Sequence, residues 1–340
     1  MIRVWIFCTL ILFLGKYYKF IIEEEIMKNK IGYFYILLAG IFWSTLGFLV
    51  SKISDYNFSS EEIAFFRMIG GFIAISIYGK LTMPTMFKIT KKGILYVFAI
   101  GIVCQFIFNI AYMGSISMVG ASMAAVLLYV SPVFVAIFSK IVYKEKINKI
   151  KILSLIFCVI GAFLAVTGGK IEIKELNIGG IIAGIMAAIT YAMLPIFNKN
   201  ALKEMDNITM SAYAFLIAAI LMCFRINPVE TISKIDSVKV FGYIAAIGII
   251  PTAMSYIVYS KGILKGVELS IAGVVASIEL VLSVIIGWTL LGEDFSVVKI
   301  FGVLFMVAST FIAVKAIEEV KENKELDPNY VAEVATDCQK

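Results

Sequence analysis

Arg67 and Glu279 are charged residues set inside long apolar runs, and a charge in such a place is where this chain would do chemistry. Arginine is rare here: it stands only at positions 3, 67 and 225, so 27 of the 30 basic residues are lysine. A guanidinium offers a planar fork suited to a carboxylate, which lysine does not. A charge at membrane depth costs ~2.5–3.5 kcal/mol or more and turns toward the interior of a helix bundle. The carboxyl of Glu279, two residues after Ser277, could bind an amine, pass a proton or simply pair with Arg67. Arg67 in turn reads either as a binding group or as an anchor that ties helix ends.

Uncharged polar residues recur at helical spacing. Gln105, Asn109 and Tyr112 share one face, and Thr252, Ser255, Tyr256 and Tyr259 form a second stripe. Lipid offers such groups no partner, so both stripes face a polar cavity or bond between helices. Trp43-Ser44, Tyr129 and Tyr191 are candidate aromatic walls, with plain packing as the alternative. Pro132, Pro195 and Pro251 fall inside apolar runs, where each removes a backbone hydrogen bond and allows a kink.

The elements that must position these groups are membrane helices. Sixty-one per cent of the chain is apolar, sixteen per cent is charged, and the mean hydropathy is +0.96. A membrane α-helix takes about 20 mostly apolar residues. Candidate spans lie near 32–51, 61–79, 93–113, 119–142, 150–167, 178–198, 208–224, 240–260, 267–291 and 297–316. Ser59 and Glu62 form a capping box that marks the start of the second, which sets Arg67 roughly 8–10 Å below that end.

The chain also repeats itself. Moved by 148 residues, Gly114–Val166 lies over Gly262–Val314 without a gap, and fifteen of the 53 pairs are identical, Ser122/Ser270, Glu145/Glu293 and Lys151/Lys299 among them. Moved by 147, Ile31, Gly32 and Lys52 lie over Ile178, Gly179 and Lys199. Each copy holds about five spans, an odd number, so the second copy must sit upside down relative to the first. The expected fold is an all-α integral membrane protein of about ten transmembrane helices in two inverted five-helix repeats, residues 31–168 and 178–316. Glu145 and Glu293, at matched span ends, read as local caps or pairing groups. Basic residues outnumber on one face (Lys88, Lys91, Lys92, Lys140, Lys144, Lys146, Lys149), which predicts both termini inside.

The two ends differ from this plan. Val4–Leu14 is too short to span, and Gly15-Lys16-Tyr17-Tyr18-Lys19 offers no signal-peptide cleavage site. Residues 1–26 read as an N-terminal extension produced by a start codon assigned too early, with Met27 as the true beginning. Residues 318–340, polar and acidic around Asp327-Pro328-Asn329, read as a disordered cytosolic tail.

Several chemistries lack their residues. Histidine is absent, which removes His-based metal sites, Ser-His-Asp triads and histidine relays. The five cysteines have no paired spacing, and no strand precedes a Gly-rich phosphate loop. No metal, cofactor or nucleic acid is expected, and the lysines line span ends. An integral-membrane enzyme would need a cluster of nucleophile, base or metal ligands at one face. A sensor would usually carry a soluble domain.

Taken together, Trp43-Ser44, Arg67-Met68-Ile69-Gly70-Gly71, Tyr129-Val130-Ser131-Pro132-Val133 with Glu145, and Ile278-Glu279-Leu280-Val281 through Gly287-Trp288 to Leu291-Gly292-Glu293 resemble the EamA-type members of the drug/metabolite transporter superfamily. The resemblance covers about residues 31–316. It implies a secondary transporter in the cytoplasmic membrane, not an enzyme, that moves a small metabolite (an amino acid or a drug-like compound) by alternating access. Export is the expected direction, with a facilitative importer as the alternative and a homodimer allowed. The expected substrate-binding set is Trp43, Arg67, Asn109, Tyr129, Tyr191, Tyr256, Ser277 and Glu279, with Glu279 also the proton-coupling candidate. The family usually has proline after the glutamate, so Leu280 predicts that the local bend there is missing. An intact mass of the natural product should begin at Met27; a mass that includes residues 1–26 overturns the reading of the start.

Overall fold

The computed structural model describes residues 30–83, 86–170, 177–292 and 296–325, and the expected N-terminal extension and much of the expected tail lie outside them. Within the described residues there are ten long helices and no strand. They are α1 Lys30–Ser54, α2 Ser60–Thr82, α3 Lys91–Val119, α4 Ala121–Tyr143, α5 Lys149–Thr167, α6 Ile178–Ala201, α7 Asn207–Met222, α8 Val238–Leu264, α9 Leu269–Leu291 and α10 Val297–Glu325. Eight are long and apolar enough to cross a membrane, and α7 and the apolar Val297–Ala313 part of α10 are shorter. Their positions follow the spans read from the sequence, because a run of about 20 apolar residues can satisfy its backbone in hydrocarbon only as a helix.

Polar caps fix the helix starts. The Ser59 amide donates to the Glu62 carboxylate (2.8 Å) and the Glu62 amide donates to Ser59 Oγ (3.2 Å), the reciprocal pair expected at α2. Thr90, Asn148, Asn177, Asp206 and Ser237 accept from first-turn amides of α3, α5, α6, α7 and α8. Each cap sits where the apolar pattern begins, so the chain turns at a membrane face and not within it.

The packing obeys the repeat. Helices α2 and α7, α4 and α9, and α5 and α10 are repeat mates, and each packs on its own mate. Helix α6 packs on α3 as α1 packs on α8: a Cβ at Gly180 would strike Val119, and one at Gly32 would strike Val267, the repeat mate of Val119. Helices α2 and α8 cross at Gly70 and Gly248, where a Cβ on Gly248 would lie 2.8 Å from the Gly70 backbone. Their mates α7 and α3 cross at Gly101, where a Cβ would lie 2.8 Å from the Ala214 carbonyl oxygen. Without a hydrophobic drive between helices in lipid, such close backbone contact is a main source of association. The two halves are therefore related by inversion, as the odd span count requires.

Four central helices are interrupted, in mate-related pairs. Helix α4 breaks at Tyr129-Val130, and α9 breaks at Ser277, the mate of Tyr129. Helices α3 and α8 widen to π-helix over Ile100–Ile107 and Ile249–Met254. The bend in α9 is thus present without the proline, contrary to the expectation from Leu280. Ser277 Oγ donates to the Val274 carbonyl (2.6 Å), and the Leu280 amide donates to the Ser277 carbonyl (3.0 Å), so a hydroxyl does the local work. In α8, Pro251 cannot donate to the Ile247 carbonyl four residues back, and Thr252 Oγ1 donates to it instead at 2.8 Å. The widened turn is what allows that substitution.

At the α5–α10 contact a Cβ on Gly302 would run into the Ala165 backbone, whereas one on the exposed Gly242 meets nothing within 4 Å. Gly302→Ala should cost about 1–3 kcal/mol through overpacking and lower the unfolding temperature in detergent. Gly242→Ala should leave that temperature unchanged or slightly raised. Equal effects would overturn the packing account.

Candidate functional site: a polar recess at mid-membrane

Glu279 opens the first turn after the break in α9, close to the middle of that helix. It is half-buried, and so are Tyr112 of α3, Tyr129 of α4 and Tyr191 of α6. The Glu279 carboxyl lies within electrostatic reach of all three phenols. These partly exposed groups therefore share one polar region at mid-depth, which we term the recess. Arg67 of α2 is 8% exposed and lies within electrostatic reach of Glu279, Tyr191 and Tyr256. Among the described residues its guanidinium makes no hydrogen bond, and its Nε is buried without a partner. A guanidinium and a carboxyl group thus share one low-dielectric region without a direct ion pair, and fields there are far stronger than in water.

Beneath the recess lies an aromatic layer. Trp43 of α1 meets Tyr256 edge-on at 5.6 Å and Tyr259 at 5.1 Å, and Phe215 of α7 meets Tyr256 at 4.9 Å. Phe108 links Tyr112 (5.8 Å) to Tyr191 (5.4 Å). Gln105 Nε2 donates to the Tyr256 hydroxyl at 2.7 Å, and the buried Gln105 Oε1 has no partner among the described residues. Below, Trp43, Ser131, Pro132, Tyr191, Pro195 and Tyr259 enclose a cavity of about 20 Å³. That is room for about one water.

The expected site residues thus separate into three groups. Arg67, Tyr129, Tyr191 and Glu279 surround the recess, and Trp43 and Tyr256 form its floor. Asn109 and Ser277 serve their own helices: Asn109 Nδ2 donates to the Gln105 carbonyl at 2.6 Å in the widened part of α3, and Ser277 lies 3.5 Å from Cys158 Sγ of α5. The structure adds Tyr112 and Tyr259, both on the polar stripes, and Phe108, for which the sequence carries no polar signal.

The face at which α1 starts is closed by a charged network. Glu145, just past α4, accepts from the amides of Leu269 (2.9 Å) and Ser270 (3.2 Å) and from Ser270 Oγ (2.9 Å). It therefore caps the N-terminus of α9 in the other half, where the helix dipole favours an anion. Lys199, at the end of α6, lies 4.0 Å from Glu145 and 4.3 Å above the Tyr143 ring, and the Tyr143 hydroxyl donates to the Ile196 carbonyl at 2.9 Å. Lys151 pairs with Glu268, whose amide donates to the Tyr33 hydroxyl at 3.0 Å. Five helices are joined here. Read from sequence, Glu145 was expected to act locally; its long reach is a tertiary fact. Its mate Glu293 lies outside the described residues.

Ten membrane helices in two inverted halves, interrupted around a polar centre, define a polytopic membrane protein of the inverted-repeat transporter class. The EamA-like transporter family matches the chain twice, over residues 30–167 and 178–315, and the chain belongs to that family. It is similar to an uncharacterized transporter of Clostridium kluyveri, 25% identical over 294 residues, covering 83% of this chain and 93% of that one. A second, from Archaeoglobus fulgidus, is 25% identical over 280 residues and covers 82% and 94%. A solved crystal structure matches 86% of this chain and 98% of its own with a TM-score of 0.72 at 14% identity, which speaks for the fold alone.

If Glu145 and Ser270 act as one unit, their substitutions will not add. Glu145→Gln and Ser270→Ala, alone and together, should show a coupling of about 1 kcal/mol or more in detergent unfolding. Additive losses would mean the contact contributes nothing of its own.

Proposed function

We propose that the protein is a secondary transporter that exports a small metabolite carrying both an amine and a carboxylate, an amino acid or a drug-like compound of that kind. What supports this reading is that Glu279, Arg67 and three tyrosines share one region at mid-depth. Glu279 would take the ammonium group, with the Tyr112, Tyr129 and Tyr191 rings adding cation–π attraction. Arg67, its Nε unspent, would take the carboxylate. Trp43 and Tyr256 would support the body of the substrate from below.

The chain sits in the cytoplasmic membrane with both termini inside, on the reading that the lysine-rich face is cytoplasmic. In that orientation the network around Glu145 seals the cytoplasmic end, and the recess opens outward. Transport requires the alternate state, in which the halves rock, the α4–α9 contact parts and the outer ends close. The sequence carries no nucleotide-binding motif, so any driving force is a gradient, with Glu279 as the candidate proton carrier.

The test is thermal stability of the purified protein against amino acids, amines, sugars, nucleosides and cationic drugs. A ligand at ~100 times its Kd stabilises by about 2.7 kcal/mol. Amino acids should stabilise the native protein, and Glu279→Gln or Arg67→Gln should abolish the shift while leaving the unliganded unfolding temperature nearly unchanged. In proteoliposomes Glu279→Gln should also remove the pH dependence of transport. Stabilisation by an uncharged sugar or nucleoside that survives both substitutions would overturn the two-charge reading, and transport with unchanged pH dependence would remove Glu279 as proton carrier.

A further inference from the structure

A groove of about 560 Å³ runs between the second half of α4 and the first half of α5 on the outside of the bundle. Its walls are apolar, with Val133 and Ile137 on one side and Ile152, Ile156 and Ile160 on the other, and Lys140 lines it toward the face where α1 starts. Helix α5 turns its small residues, Cys158, Gly161, Ala162 and Ala165, onto α10, which leaves its bulkier isoleucines on the groove.

Around the mouth of the groove the charges do not balance. Lys140, Lys144, Lys146 and Lys149 are exposed, and none of them forms an ion pair among the described residues. The one acid in this stretch, Glu145, turns away to cap α9, and Lys151 is spent on Glu268. Within this stretch Glu145 and Lys151 are also the charges that recur in the second copy, as Glu293 and Lys299. The four free lysines do not recur: opposite them stand Trp288, Gly292, Asp294 and Val297. Here the repeated charges join helices, while the unrepeated Lys140 lines the groove and Lys144, Lys146 and Lys149 stand in or next to the turn that holds its Ile147.

We propose that this groove binds an anionic phospholipid, one acyl chain lying along the isoleucines and the phosphate held by Lys140 with Lys144, Lys146 or Lys149. Basic pockets beside membrane helices hold anionic headgroups by this pairing of charge and apolar length. Topological bias also places lysines on this face at Lys88, Lys91 and Lys92; what sets Lys140 apart is that it lines the apolar groove. The lipid would brace α4 against α5 at the point where Glu145 leaves α4 for α9. The proposal does not depend on what the recess transports.

The test is native mass spectrometry of the full chain in detergent with added phosphatidylglycerol or phosphatidylcholine. One phosphatidylglycerol should be retained about tenfold more strongly than phosphatidylcholine. Replacing Lys140, Lys144, Lys146 and Lys149 together by Gln should remove that preference. All four are exposed, so elution and circular dichroism should be unchanged. Lys88, Lys91 and Lys92 together to Gln should keep the preference, and Ile156→Trp, which fills the groove from an exposed wall, should lower retention of both lipids. Equal retention of the two lipids by the native protein overturns the proposal. So does a loss of preference in the Lys88, Lys91 and Lys92 variant as large as in the groove variant, which would show a generic basic face.

Discussion

One carboxylate holds the two halves in the arrangement described. Glu145 leaves the end of α4 and enters the N-terminus of α9, replacing the acceptors that the first amides of any helix lack. Away from water, those amides and that charge would each be costly alone, and together each removes the cost of the other. The contact ties the first repeat to the second, and Lys199, Tyr143, Lys151, Glu268 and Tyr33 assemble around it. The joining of five helices at this face depends on it.

The centre is governed by the demand that every backbone polar group find a partner within the protein. Helices α3, α4, α8 and α9 are interrupted at mid-depth: α3 and α8 widen, α9 is served by a hydroxyl, and α4 tightens so that the Val130 amide donates to the Leu127 carbonyl at 3.2 Å. Thr252 serves the carbonyl that Pro251 orphans, Asn109 serves Gln105, and Ser277 serves Val274. Interrupted helices leave room and polarity at the same depth, which is where Glu279 and the three tyrosines face one another. Polar residues that look alike in sequence therefore divide between those that bond to their own helices and those that do not.

The two halves share a sequence pattern but not an environment. Tyr129 and Ser277 are mates, yet Tyr129 borders the recess while Ser277 turns to Cys158. Ser131 and Glu279 are mates, yet Ser131 lines the closed 20 Å³ cavity and Glu279 the open recess. Lys199 lies beside Glu145, whereas its counterpart Lys52 pairs with Asp55 at 3.5 Å. Mates in unlike surroundings mean that the inverted halves share a sequence pattern without sharing one exact conformation.

The sequence alone determined the elements. Long apolar runs leave a backbone no choice but helix, caps such as Ser59 with Glu62 mark the ends, and an odd span count per copy dictates inversion. Arg67 and Glu279 were legible because a charge in hydrocarbon is expensive enough to need a reason. What the sequence could not order was direction around each helix and reach between helices. Asn109 carries the same helical spacing as Tyr112, and only the fold turned it to its own backbone. Phe108 is one apolar residue among many until packing sets it between Tyr112 and Tyr191. Glu145 has a nearby chain to cap and instead caps a helix 124 residues away. Spacing is a one-dimensional signal; which partner satisfies a buried group depends on distances that exist only once the two halves have closed on each other.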